Sequence, residues 1–218
     1  MGTNFSELRT KMVDGQLRTT DVTNPDILDA MLAVPRETFV DEKRRPLAYI
    51  DEDIEIAASR YLMEPSPFAR LMQLAEIGSG DHVLIVGTGS GYSAAVLSRL
   101  VGKVVALESD SALAERARAT LAAMGCANVE VAVGELAKGH AAGAPYDVIL
   151  VEGAVETLPQ GLLAQLREEG RLVVVEGTGN TGVARLYLRT GGSVTSRRAF
   201  NAAVKPLPGF ERIPVFEF

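Results

Sequence analysis

Runs of consecutive apolar residues alternate along this chain with stretches whose apolar positions recur every three or four residues. Residues 83–86, Val-Leu-Ile-Val, are one such run, and an unbroken apolar run suits a strand buried on both faces. Similar segments follow at 103–108, 128–133, 146–152 and 171–176. Helical periodicity between them predicts helices over 92–100, 111–124 and 158–166, the second stopped by Gly125. Strand and helix in alternation predict an α/β fold, a parallel sheet with helices on both faces. The rhythm changes near residue 183. Residues 183–189 and 194–204 read as two strands joined by Gly191-Gly192, an antiparallel pair closing a five-strand parallel sheet.

Upstream, helices are predicted over 4–14 and 27–33, the second announced by Asn24-Pro25-Asp26, a cap with proline in the first turn. Ser66-Pro67 repeats that signal and starts a third helix through Leu74. Residues 36–40 and 49–51 read as extended and irregular. The expected organisation is one structural domain, with a helical extension (1–78) packed on a core (79–204). A tail (205–218) with three prolines and three phenylalanines packs over that core or against another chain.

Candidate chemistry centres on the turn after the first strand. Gly87-Thr88-Gly89-Ser90-Gly91 lets backbone approach a ligand with no side chain in the way. Strand, glycine turn and helix open a nucleotide-binding α/β sheet. The next strand ends in Glu108, ~20 residues beyond the turn, where a carboxylate can accept from both ribose hydroxyls. The spacing is not G-x-G-x-x-G, which seats a pyrophosphate, and no triphosphate loop is present. A ligand with a ribose but no pyrophosphate fits, and S-adenosylmethionine (SAM) is the obvious one. This makes the expected fold class the Rossmann-like, seven-stranded arrangement of SAM-dependent methyltransferases. Gly134, Glu135 and Glu152 fall at later strand ends, on the same rim, with Glu135 placed to accept from an adenine amino group. Glu135 reads equally well as an acid favoured by a helix N-terminus.

Composition narrows the class without adding a site. The 218 residues are 47 % hydrophobic and 23 % charged, an ordinary globular balance. A net charge of −6 gives no electrostatic reason to expect a nucleic-acid partner, and Lys43-Arg44-Arg45 reads as a solvated face. The single cysteine, Cys126, excludes an internal disulfide and fits a reducing compartment. With no membrane-length apolar run and no signal-peptide pattern, the expectation is a cytoplasmic monomer or homodimer without a membrane partner. His82 and His140 are too isolated to suggest a metal site.

Several segments resemble one family. Val34-Pro35-Arg36-Glu37-Thr38-Phe39-Val40, Ala48-Tyr49-Ile50-Asp51, Val86-Gly87-Thr88-Gly89-Ser90-Gly91-Tyr92 and Ala144-Pro145-Tyr146-Asp147 are similar to motifs of protein-L-isoaspartate O-methyltransferases. The resemblance runs from about residue 9 to residue 190 and implies SAM as methyl donor. It also implies methylation of the free carboxyl of isoaspartyl residues in damaged proteins. Methyl transfer from a sulfonium rests mainly on positioning the acceptor, so no acid–base cluster is required.

The departures fall where substrate is expected. The family loop Gln-Thr-Ile-Ser-x-Pro matches Arg60-Tyr61-Leu62-Met63-Glu64-Pro65, so Met63 replaces a serine and Tyr61 a threonine. A thioether cannot donate to a carboxylate, which needs donors when buried. Arg60 and Tyr61 are the candidates to take over that role. Ala57 and Ser59 replace loop glycines, Gly134-Glu135-Leu136 stands for Gly-Asp-Gly, and Phe200 lacks the Val-Pro that usually follows. The alternatives are a methyltransferase on another acceptor, or a SAM-binding protein that has lost isoaspartyl activity and serves as an interaction partner.

Overall fold

The computed structural model describes residues 3–212. The chain begins with α1 (Phe5–Met12) and α2 (Pro25–Ala33), and Asn24 Oδ1 caps α2 by accepting from the Asp26 and Ile27 amides. A short antiparallel hairpin follows, β1 (Ile54–Ala57) and β2 (Arg60–Leu62), then α3 (Pro65–Leu74). Next come β3 (His82–Val86), α4 (Tyr92–Leu97), β4 (Lys103–Glu108), α5 (Ser111–Ala123) and β5 (Val129–Val133). The chain continues through β6 (Tyr146–Val155), α6 (Gln160–Leu163), β7 (Leu166–Glu176), β8 (Val183–Thr190) and β9 (Ser193–Asn201). The large sheet has the order β5-β4-β3-β6-β7-β8-β9, parallel except for the final two pairings. The expected sheet, with its closing hairpin, is the observed one.

Strand residues alternate between two cores, as the two-residue period of a pleated strand requires. Ile85, Ala106, Leu150 and Val173 face the N-terminal helices together with α4 and α5. Val86, Leu107, Val151 and Val174 face the opposite side, with Leu162, Leu163, Leu207 and Phe210. The tail thus completes the second core. The register Val86↔Leu107 and Val86↔Val151 aligns the carboxyl ends of β3, β4 and β6 on one rim, where the glycine turn leaves the sheet.

Several segments depart from the sequence reading. Residues 36–39, read as extended, form a compact 3₁₀ turn, and a second 3₁₀ turn spans 42–47. The cause is the buried Arg36, whose Nε donates to Ala48 O and whose Nη2 donates to Met63 O, both at 2.7 Å, drawing three segments together. The helix predicted over 158–166 shrinks to α6, because Gln165 O accepts from the Tyr146 amide and Leu166 joins the sheet. The third helix starts one residue before Ser66, whose Oγ donates to Thr20 Oγ1 at 2.7 Å instead of capping. The β1–β2 hairpin has no counterpart in the prediction. Of the tail, Pro214, Phe216 and Phe218 lie outside the described residues.

Candidate active site

The turn after β3 is held open by backbone conformation. Gly87 and Gly89 have φ of 88° and 57°, a region that strains any side chain-bearing residue. The Gly87 and Thr88 amides both donate to Leu107 O, tying the turn to β4. The Gly89 amide points at Glu108, donating to Oε2 at 2.7 Å. Glu108 therefore stands against the turn, as its spacing predicts, at 0 % exposure.

What surrounds that carboxylate was not legible in the sequence. Arg60 approaches end-on from β2, with Nη1 to Oε1 and Nη2 to Oε2, each 2.7 Å. Such a fork is the strongest carboxylate pairing a side chain makes. Arg60 Nη2 also donates to Gly87 O, 3.1 Å away. The Ser109 and Asp110 amides add bonds of 2.8 and 3.0 Å to Oε1. A carboxylate offers about four lone-pair sites, so Glu108 is saturated by its own chain. Arg60, the candidate for binding a substrate carboxylate, is engaged here instead.

The space above the turn is filled as well. A Cβ placed on Gly87 would lie 2.7 Å from Leu207 Cδ1, and one on Gly89 would lie 2.8 Å from Ile56 Cδ1. Leu207 also packs on Gly153 of β6, where a Cβ would come within 2.8 Å of its own Cβ. Main-chain bonds seat it: Ala154 donates to Lys205 O at 2.9 Å, and Leu207 donates to Ala154 O at 2.8 Å. Asp53 ties the hairpin to this strap, accepting from the Glu64 amide at 2.8 Å and the Lys205 amide at 3.1 Å. The cavity left between Arg60, Met63, Glu152, Gly153 and Leu207 measures ≈10 Å³. That is room for about one water, whereas ligand sites run to about 300–1,000 Å³.

Glu152 lines this cavity, buried, and accepts from Ser93 Oγ at 2.5 Å. Burial pushes its carboxyl up to about 8, against the opposing pull of Ser93, Arg60 and Arg36. Behind it, the Arg36 guanidinium lies 4.8 Å over the Tyr92 ring, with burial holding its pKa down. Arg36 and Tyr92 are functional-site neighbours that the sequence reading did not single out, although both sit within the quoted motifs.

The remaining predicted residues divide. Thr88 and Ser90 are buried in the turn, and Thr88 Oγ1 lies 3.4 Å from Ser93 Oγ. The Gly91 amide closes the turn on Thr88 O, and the Gly134 amide donates to Glu108 O. Glu135 lies at the surface, paired with Lys138 Nζ at 2.8 Å, and reaches nothing at the turn. Met63 is buried, presenting a thioether toward the small cavity. Tyr61 is half-buried in a shallow depression of ≈240 Å³ with Ser59, Pro206, Pro208 and Glu211. Lys205 Nζ sits 5.8 Å from its ring. Among the described residues no cluster of His, Cys, Asp and Glu could hold a metal, and no helix is long and apolar enough to cross a membrane.

Comparison with known proteins agrees with this architecture. A family model described as protein-L-isoaspartate(D-aspartate) O-methyltransferase matches residues 8–209. The chain belongs to this family. A protein-L-isoaspartate O-methyltransferase of Koribacter versatilis (strain Ellin345) is 36% identical over 207 residues, covering 95% of this chain and 93% of the relative. Protein-L-isoaspartate O-methyltransferase 1 of Rhodopseudomonas palustris (strain HaA2) is 41% identical over 175 residues, covering 80% and 71%. A solved protein-L-isoaspartate O-methyltransferase superposes with a TM-score of 0.80 at 28% identity, covering 92% of this chain and 66% of that one. The structure of a putative protein-L-isoaspartate O-methyltransferase from Plasmodium falciparum in complex with S-adenosyl-L-homocysteine shares the fold, with a TM-score of 0.78 at 19% identity, covering 94% of this chain and 99% of that one. Members of the protein-L-isoaspartate O-methyltransferase family are SAM-dependent methyltransferases.

Membership sharpens the conflict at the site. The glycine turn and the buried Glu108 suit the ribosyl part of the family's cofactor. The volume beside them does not, because Arg60, Ile56 and Leu207 take it. As folded here, the site does not fit SAM.

Proposed function

We propose that this chain carries out the family reaction, methylation of the free carboxyl of isoaspartyl residues in proteins. The supporting observation is the pairing of a left-handed glycine turn with a fully buried strand-end carboxylate, Gly89 to Glu108, on the family's sheet. The acceptor carboxylate is assigned to the β2 side of the turn, beside Tyr61, which lines both the small inner cavity and the depression of ≈240 Å³. The Tyr61 hydroxyl is the donor assigned to it, since Met63 donates nothing. Methyl transfer from labelled SAM to an isoaspartyl peptide, with the aspartyl twin as control and base-labile methanol as readout, tests the reading. Turnover selective for the isoaspartyl peptide is expected, lowered at least tenfold in Tyr61→Phe. Folded protein that binds S-adenosylhomocysteine yet methylates neither peptide sinks it.

A second reading, transfer to a different acceptor, is favoured by one observation. Met63 lines the inner cavity at the position of the family's loop serine, and a thioether does not repair the loss of that donor. Turnover with other acceptors and none with the isoaspartyl peptide would select it.

A further inference from the structure

Two elements from opposite ends of the chain meet over the glycine turn. The β1–β2 hairpin contributes Ile56 and Arg60, and the strap at 205–210 contributes Leu207, with Asp53 bonded to both. Their polar complement to the cradle is detailed. The guanidinium gives Glu108 two donors side by side, which is what a pair of ribose hydroxyls would offer. Leu207 supplies the apolar cover against Gly87 and Gly153, and the Ala154–Leu207 main-chain pair fixes it in place.

We propose that Arg60 and the 205–210 strap form an autoinhibitory plug: they occupy the cofactor's place, and SAM enters only by displacing both. This rests on the reading of SAM as the cofactor of this chain. The plug is able to leave without stranding the cradle. With Arg60 gone, Glu108 keeps the amides of Gly89, Ser109 and Asp110, and a ribose can restore the missing donors. Strap and hairpin are not independent, since Asp53 accepts from the Glu64 amide beside β2 and from the Lys205 amide at the strap. Displacing one therefore loosens the other. Cofactor binding is then coupled to release of the tail, and apparent affinity falls in proportion to the fraction of molecules that are open.

The test is calorimetric binding of S-adenosylhomocysteine to the full chain and to Arg60→Ala, Arg60→Gln, Leu207→Ala and the Arg60→Ala/Leu207→Ala double variant, each checked for folding by near-ultraviolet circular dichroism. Hydrogen exchange at the Leu207 amide is followed with and without the ligand. Weakening the plug is expected to tighten binding at least tenfold in each single variant and further in the double variant. In the unaltered chain, saturating ligand is expected to raise exchange at Leu207, because its bond to Ala154 O must break. Equal affinity in all folded proteins, with Leu207 still protected in the complex, overturns the plug while leaving the SAM reading intact. Folded proteins that all fail to bind the ligand overturn the SAM reading, and the plug with it. Arg60→Gln and Leu207→Ala keep the test decisive should Arg60→Ala not fold.

Discussion

The cradle and its cover are built in opposite ways. Every group of the cradle comes from residues 86–110: a glycine turn, the strand beside it and the amides that follow Glu108. The cover brings together Ile56, Arg60 and Leu207, the last being 147 positions from Arg60 in the chain. Short-range assembly makes the cradle robust, since its bonds close small loops. The cover depends on long loops whose closure entropy must be met by packing. That difference makes the cover the natural moving part and the cradle the fixed one.

Breaking the central pair from either side should show the asymmetry. Glu108→Ala leaves a guanidinium at 5 % exposure with Gly87 O as its one remaining acceptor among the described residues, and also removes the acceptor of three amides. Loss of about 3–5 kcal/mol is expected from denaturant midpoints. Arg60→Ala leaves Glu108 with its amides and should lose only about 1–2 kcal/mol. Equal losses would mean the cradle is no more self-sufficient than the cover.

Glu152 reports on the cover through pH. Its carboxyl is raised from 4.5 to about 8, so the folded state holds its proton more tightly than the unfolded chain does. The associated stability is complete below 4.5 and is lost as pH rises toward about 8. The expected slope is up to about 1.4 kcal/mol per pH unit in that window. Glu152→Gln should flatten it, and urea melts at several pH values check the change. Retention of the full slope in Glu152→Gln would assign it to another group.

Leu207→Ala addresses the strap itself. Removing a leucine at 4 % exposure from the second core should cost about 2–3 kcal/mol, measured by thermal or chemical denaturation. It should also lower the Glu152 pKa by admitting water to the cavity the two residues share. Glu135→Ala is the control on the rim. Among the described residues its side chain pairs with Lys138 alone, in an exposed pair, so the change in stability should stay below about 0.5 kcal/mol. A larger loss would place Glu135 in contacts that the folded chain does not show.

How much of this was readable in advance follows the same division. The apolar runs at 83–86, 104–107 and 148–151 announce buried parallel strands, and the spacing from Gly87 to Glu108 announces their meeting. The motif around Arg36 is visible too, but not its consequence. One guanidinium collecting Ala48 O and Met63 O turns a segment read as extended into 3₁₀ turns. Glu135 lies after its predicted strand yet bonds outward, since distance along the chain fixes a rim position but not a side chain's direction.

The sequence by itself determined the sheet, its antiparallel ending and the cradle, because hydrophobic period and glycine conformation act over a few residues. Only the tertiary structure decided the partner of Glu108 and the occupant of the space above Gly87. Arg60 and Leu207 carry no local signal for either role, and a charge pair or an apolar contact forms only once the folded chain sets which distant segments meet.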